Sequence, residues 1–231
     1  MRVWAVIPAL DEEDGLRRVL REIPPCVENV VVVDNGSRDR TADVAREEGA
    51  HVVEEPRRGY GAACLRGIAA LPSDVDVVVF LDADHADHPD RIPSLLEPIA
   101  AGEADLVIGS RALGPAEKGA LTPQARFGNW LATWMIFLLF GHRFTDLGPM
   151  RAVRREALER LGMRDRTYGW TVEMQVRALQ EGLACAEVPV PYRRRRGRSK
   201  ISGTLRGTLL AGWKIITTIL ALRLRGGRRA A

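Results

Sequence analysis

Apolar and polar positions alternate in blocks along the first 110 residues. Residues 3–10, VWAVIPAL, form a nearly continuous apolar run closed by proline and acidic residues, the pattern of a strand buried on both faces. In DEEDGLRRVLREI (11–23), Leu16, Val19, Leu20 and Ile23 recur at helical spacing behind an acidic first turn. VENVVVVDNGSRD (27–39) predicts a second buried strand running into turn residues. DRTADVAREEG predicts a helix with Gly49 at its end. AHVVEE, VDVVVFLD and ADLVIGSR predict three further strands, separated by the Gly-rich helix start GYGAACLRGIAAL and by the helix IPSLLEPIAAG. Strand and helix alternate with short connections, so the fold class is α/β: a doubly wound, mostly parallel sheet with helices on both faces. Ligands of such sheets sit at the carboxyl ends of the strands. The clusters ALDEE, DNGS, DADHAD and GSR all fall there.

Beyond Arg111 the alternation breaks. QARFGNWLATWMIFLLFG reads as an unusually apolar helix, YGWTVEMQVRALQEG as an amphipathic one, and LACAEVPVPYRRRRGRSK as a strand entering a basic loop. The tail LRGTLLAGWKIITTILALRLRGGRRAA is one more apolar helix with arginines on both sides. Neither apolar run reaches the roughly 20 residues that span a bilayer. At 231 residues the chain suits a single domain. Within it the pattern separates residues 1–110, 111–204 and 205–231, the last an amphipathic C-terminal helix with a basic tail.

Charge divides along the same line. Residues 1–110 carry 11 basic and 22 acidic side chains, and the rest carry 23 and 8, so a net +4 conceals −11 and +15. A cation or sugar is expected at the first half and an anion at the second. Sparse aromatic residues and no nucleic-acid-binding signature argue against nucleic acid. Cys26, Cys64 and Cys185 are odd in number and widely spaced. They form no zinc or disulfide framework, which fits a reducing, cytoplasmic compartment.

In VVVFLDADHADHPD, Asp82 and Asp84 end an apolar strand two residues apart and share a face if the chain stays extended. Paired carboxylates suit a hard divalent cation that leaves positions open for phosphate oxygens. The plain alternative is a solvated loop with Asp87 or Asp90 capping a helix. Asp34 has the position of a base or ribose acceptor, or of an ordinary turn aspartate. RRGYGAACLRG (57–67) offers arginines and glycines at a helix start, where backbone can approach phosphate, yet it is no Walker loop. Trp130, Trp134 and Trp213 with flanking arginines suit a lipid headgroup boundary, while the apolar helices also suit core or a homodimer surface.

The segments VIPALDEE, VVVDNGSRDRTADVA, RRGYGAACLRGI, FLDADHADHPDRI, DLVIGSR, TDLGPMRAVRREAL, YGWTVEMQVRA, EVPVPY and RRGRSKISGT resemble, in order, a family-2 glycosyltransferase of the glycosyltransferase-A fold. The resemblance is closest to the polyprenyl-phosphate or dolichyl-phosphate mannose and glucose synthases. It implies that Pro8, Leu10 and Glu12 line the base and ribose pocket, that Asp34 binds the base, and that Arg58 lies near the nucleotide. Asp82 would meet ribose and metal, and Asp84 would hold Mg²⁺ or Mn²⁺. Arg111, Arg126, Arg195, Ser199 and Lys200 would surround donor and acceptor phosphates, and Asp146 and Glu173 would face the sugar and acceptor. Asp11 and Asp87 depart from the family's usual asparagine and histidine, and no role is assigned to His85 or His88.

The implied reaction moves a hexose from a nucleotide-sugar (UDP-glucose or GDP-mannose type) to a polyprenyl phosphate with inversion, at the membrane's cytoplasmic face. A hydroxyl acceptor would instead require a base, with Glu173 first and Asp146 second. Two other readings are a nucleotidyltransferase, which the acidic IPALDEE opposes, and a non-catalytic nucleotide-sugar-binding or membrane-docking protein.

Overall fold

The computed structural model describes residues 1–195 and 205–226. Its strands are β1 (Val3–Ala9), β2 (Asn29–Asp34), β3 (His51–Glu54), β4 (Val77–Phe80), β5 (Leu106–Ser110), β6 (Arg151–Arg154) and β7 (Cys185–Pro189). They form one sheet in the order β3-β2-β1-β4-β6-β5-β7. All neighbouring pairs are parallel except the two made by β6, which runs antiparallel to both β4 and β5. The five strands expected up to residue 111 and the one after residue 183 are all present.

The period-two alternation of the apolar strands divides the core in two. Val6, Val31, Val33, Val78, Phe80, Leu106, Ile108 and Val153 face one layer, which holds Cys64, Ile136, Leu158, Trp170 and Ile219. These come from the helices α3 (Tyr60–Ala69), α5 (Pro123–Phe140), α6 (Arg155–Leu161), α7 (Trp170–Gln180) and α8 (Leu205–Gly226). Ala5, Ile7, Val32, Val77, Val79 and Val107 face the other, against α1 (Glu13–Arg21), α2 (Thr41–Glu47) and α4 (Ile92–Ala100). The central strands β1, β4 and β5 therefore bury side chains on both faces, while the edge strands β3 and β7 are only partly covered.

One strand departs from the sequence reading. RAVR shows no long apolar run, yet Arg151, Ala152 and Val153 are fully buried in β6. Its antiparallel direction has a topological effect. Arg151 pairs with both Phe80 and Ile108, so the loop leading into β6, which carries Asp146, lies at the edge where β4 and β5 end.

Helix ends follow local chemistry. Thr122 caps α5 by accepting the Ala125 amide at 3.2 Å, and Gly141 closes it in the left-handed region at φ 77°. Among the described residues no helix is long and apolar enough to cross a membrane. Phe127, Trp130, Trp134, Phe137 and Leu138 of α5 and Leu210, Trp213, Leu220 and Leu224 of α8 are nevertheless exposed. Cys26, Cys64 and Cys185 are free thiols.

Candidate active site

The carboxyl edge of the sheet carries two cavities. The first, about 410 Å³, is lined by Pro8, Leu10 and Glu12 after β1, Asn35 after β2, Arg58 to Tyr60 at the start of α3, Asp82 to Asp84 after β4, Thr167 and Tyr168, and Arg195. Six of the sequence-derived donor and metal candidates (Pro8, Leu10, Glu12, Arg58, Asp82 and Asp84) thus meet in one place, joined by Arg195, which was expected around the donor and acceptor phosphates.

The loops around it are stitched together. The Asp11 amide donates to Ser37 Oγ at 2.9 Å, and the Glu12 amide to Thr41 Oγ1 at 2.8 Å. Asn35, buried beside the cavity, donates from Nδ2 to the Glu55 and Arg57 carbonyls and accepts the Gly59 amide on Oδ1, each at 2.8 Å. Its neighbour Asp34 does not line the cavity: its carboxylate accepts the Ser37 amide at 3.2 Å. Of the DNGS residues, Asn35 lines the cavity, while Asp34 makes the contact of a turn aspartate.

The strand ends at Phe80, and Asp82 to His85 form a turn rather than an extended continuation. His85 sits at φ 61°, a conformation uncommon for a residue with a Cβ. Both carboxylates still border the cavity because α1 presses on this turn. A Cβ on Gly15 would lie 2.6 Å from the Ala83 carbonyl oxygen, so only glycine permits that approach. Neither Asp87 nor Asp90 caps a helix: the 3-10 turn at Pro89–Arg91 has no side-chain cap. Asp87 instead accepts the Asp82 amide at 3.4 Å, and Asp84 accepts the Ala86 amide at 2.9 Å.

Three carboxylates in so small a volume repel one another. Burial, then the charges of Asp84 and Asp87, push the Asp82 pKa well above the ordinary carboxylate range. Burial and Asp84 push Asp87 up to about 7. Among the described residues no group of three or more His, Cys, Asp or Glu side chains is arranged to hold a metal ion by itself. The chemistry nonetheless fits a cation that also takes phosphate oxygens. Asp82 Oδ1 is buried with no hydrogen-bond partner, an oxygen that a hard cation would satisfy.

The second cavity, about 630 Å³, lies along α5. Arg111, Arg126, Arg143, Asp146, Asn129, Trp130, Trp134 and Phe137 are among its lining residues. Arg111 grips Asp146 with both Nε and Nη2 at 2.8 Å, and its amide donates to the same carboxylate at 2.8 Å. Burial works against the Arg111 charge, but Asp146 outweighs it and the guanidinium pKa is raised. The charge of Arg111 also acts on Asp82 and Asp87, so this arginine links the two cavities electrostatically.

Glu173 does not reach either cavity. It is buried behind the 164–169 turn, accepting the Arg164 and Asp165 amides and pairing with Arg177 Nε at 2.8 Å. Its expected place facing the acceptor is corrected: it braces the wall that presents Thr167 and Tyr168. Arg193 and Arg195 do lie at the aspartate turn. Arg193 donates to Glu22 at 2.6 Å and contacts His85 Nε2 at 2.9 Å, and its amide donates to the Ala86 carbonyl. Ser199 and Lys200 fall outside the described residues. Asn35, Tyr60, Asn129, Arg143, Thr167 and Tyr168 were not singled out from the sequence, since only the fold brings them to these walls.

Residues 4–162 match the family model described as glycosyl transferase family 2. An uncharacterized glycosyltransferase of Mycobacterium tuberculosis (strain ATCC 25618 / H37Rv) is 40% identical, over 93% of this chain and 98% of its own. A dolichyl-phosphate hexose transferase of Haloferax volcanii is 35% identical, with 95% of each chain covered. Among solved structures, glucosyl-3-phosphoglycerate synthase from Mycobacterium tuberculosis, in complex with Mn²⁺, UDP-glucose and phosphoglyceric acid, superposes with a TM-score of 0.78. That likeness carries 27% identity over 96% of this chain and 79% of that one.

Proposed function

The chain belongs to glycosyl transferase family 2, and from that premise we propose that it transfers a hexose from a nucleotide-sugar to a polyprenyl phosphate. The observation that carries this reading is the pairing of the two cavities. One is tipped with Asp82 and Asp84; the other joins three arginines to Trp130, Trp134 and Phe137.

In the first cavity, Pro8, Leu10, Tyr60 and Tyr168 offer apolar surface to a base and ribose, and Arg58 a charge to the diphosphate. Asp82 and Asp84 would hold Mg²⁺ or Mn²⁺; when bound, such an ion neutralises a leaving diphosphate. The structural neighbour crystallised with Mn²⁺ and UDP-glucose supports this assignment. Arg195 adds a guanidinium between Asp84 and Glu12, a cation available to the diphosphate.

In the second cavity, Arg126 and Arg143 offer forked donors that match a phosphate monoester, while the Nε–Nη2 fork of Arg111 is taken by Asp146. Asp146 orients Arg111 rather than acting on the acceptor directly. A phosphate is already ionised at neutral pH, so its attack needs no base. A hydroxyl acceptor would need one, and the two carboxylates named for that role, Asp146 and Glu173, are both engaged by arginines and backbone amides. The exposed aromatic side chains of α5 continue the second cavity onto the surface, which suits a peripheral seat on a bilayer carrying the lipid acceptor.

A second reading, transfer to a soluble phosphorylated hydroxyl compound, is favoured by the neighbour that binds phosphoglyceric acid. The test incubates the protein with labelled UDP-glucose or GDP-mannose, Mn²⁺, and either short-chain polyprenyl phosphate or phosphoglyceric acid. Label passing into organic solvent is expected. Turnover with the soluble acceptor alone would overturn the lipid assignment and leave the donor chemistry standing.

A further inference from the structure

The wall of the first cavity that bears Thr167 and Tyr168 is held from behind by a helix that touches neither cavity. Asp165, nearly buried, folds the turn. Its Oδ1 accepts the Thr167 amide at 2.7 Å, the Thr167 hydroxyl at 3.1 Å and the Gly169 amide at 3.1 Å. Its Oδ2 is paired at 2.8 Å with Nζ of Lys214 from α8. Burial alone would raise the Asp165 pKa, but Lys214 and the Thr167 amide outweigh it and hold the carboxyl below its ordinary value.

The turn in turn caps α3. The Arg166 and Thr167 carbonyls accept the Ala62 and Gly61 amides at 2.9 and 3.3 Å, satisfying donors that a helix start leaves open. The fit is tight enough that a Cβ on Gly59 would collide with the Arg166 carbonyl, and one on Gly61 with that of Asp165. On the α8 side, a Cβ on Gly169 would lie 2.7 Å from Thr218 Oγ1. A continuous chain of contacts therefore runs from Lys214 through Asp165 and the 165–169 turn to Gly59, Tyr60, Thr167 and Tyr168.

We propose that Lys214, acting through Asp165, is a positioning residue for the donor cavity, so that α8 holds the nucleotide-binding wall in its binding shape. This rests on reading that cavity as the donor site. Lys214 touches no substrate; its ammonium compensates a carboxylate that would otherwise be buried without a counter-ion. Without it the Asp165 side chain turns toward water and releases the Thr167 and Gly169 amides.

The test compares wild type with Lys214→Met, Lys214→Arg and Asp165→Asn, the last keeping an Oδ1 acceptor while losing the ion pair. Three quantities are read: binding of UDP and GDP with Mn²⁺ by calorimetry, steady-state kinetics against the nucleotide-sugar, and amide hydrogen exchange across 59–62 and 164–169. Lys214→Met should weaken nucleotide binding and raise the donor KM by roughly three- to ten-fold, with kcat within about two-fold. Exchange of the turn amides should quicken by about ten-fold. Lys214→Arg should restore both, and Asp165→Asn should show the binding loss in a smaller form. If Lys214→Met does not fold, Asp165→Asn carries the decision through the same readouts. Wild-type affinity together with unchanged exchange in either folded variant overturns the proposal. Failure of the wild type to bind either nucleotide would overturn the donor reading instead, while the exchange rates still decide the linkage.

Discussion

Arg195 and Asp84 face each other across the mouth of the first cavity, Nε to Oδ2 at 3.4 Å, while Nη2 of the same arginine donates to Glu12 Oε1 at 2.7 Å. The guanidinium thus stands at the carboxylate to which a divalent ion is assigned. The two cations compete for Asp84, or the arginine shifts toward the diphosphate once the ion arrives. Either course predicts that Arg195→Met strengthens Mn²⁺ binding in the absence of nucleotide by roughly two- to five-fold, the scale of one partly exposed ion pair. The same variant should lose turnover. Titration calorimetry with Mn²⁺ alone checks the first expectation; weaker binding would show that Arg195 supports the metal site.

Asp84→Asn should separate stability from activity. Removing one charge from the Asp82, Asp84 and Asp87 cluster relieves the repulsion that, after burial, raises the other two pKa values. The metal-free variant should melt about 2–4 °C higher, corresponding to roughly 1 kcal/mol in a chain of this size. Turnover should fall by at least about a hundred-fold, and the Mn²⁺-dependent rise in Tm should vanish. Unchanged turnover would remove Asp84 from the metal site.

Gly15 offers a test from outside the cavity. Gly15→Ala places a methyl group 2.6 Å from the Ala83 carbonyl, a contact relieved only by moving α1 or the aspartate turn. The expected result is weaker Mn²⁺ binding and a loss of roughly 1–3 kcal/mol in unfolding free energy. Denaturant unfolding with and without Mn²⁺ measures both; a variant with neither change would mean that α1 yields freely.

The pH dependence has a definite sign at Glu22. The Arg193 hydrogen bond draws its pKa down to about 2, with burial opposing and His85 assisting. Between pH 2 and the ordinary carboxylate value near 4.5, the unfolded chain binds a proton that the folded chain does not, so stability rises with pH. The contribution is complete above pH 4.5 and disappears as the pH falls through 2. Because Glu22 is partly exposed, screening limits it to about 1 kcal/mol or less. Glu22→Gln should therefore lower Tm by a few degrees at pH 7 and leave it unchanged near pH 2, as thermal melts across that range will show.

Arg126 and Arg143 line only the second cavity. Replacing both with alanine should raise the KM for a phosphate acceptor by about ten-fold or more, since each charge-assisted hydrogen bond contributes roughly 1.5–3 kcal/mol. The donor KM should stay within about two-fold. Equal losses for both substrates, in steady-state kinetics, would remove the acceptor assignment. Trp134→Ala should discriminate further, weakening a long-chain polyprenyl phosphate more than a short one.

The sequence by itself determined the elements whose identity depends on neighbours along the chain. Runs such as VVVV and VVVF specify strands buried on both faces, because every residue of either parity must be apolar there. Parallel topology then sends the polar residues after each strand to one edge, which is why ALDEE, DNGS, DADHAD and GSR, and with them Glu12, Asp82 and Asp84, could be grouped before any coordinates. Contacts between distant segments left no such mark. RAVR carries arginines at both ends and looked nothing like a central strand, yet the fold buries Arg151 by giving its guanidinium the Thr171, Leu147 and Gly148 carbonyls. Glu173 and Asp146 are both acidic residues in plausible positions, and only packing shows one bracing a turn and the other holding Arg111. Lys214 lies 49 positions from its partner, Asp165. Side-chain charge is written in the sequence, whereas the partner that fixes its role is chosen by tertiary packing, where burial demands that each charge be compensated.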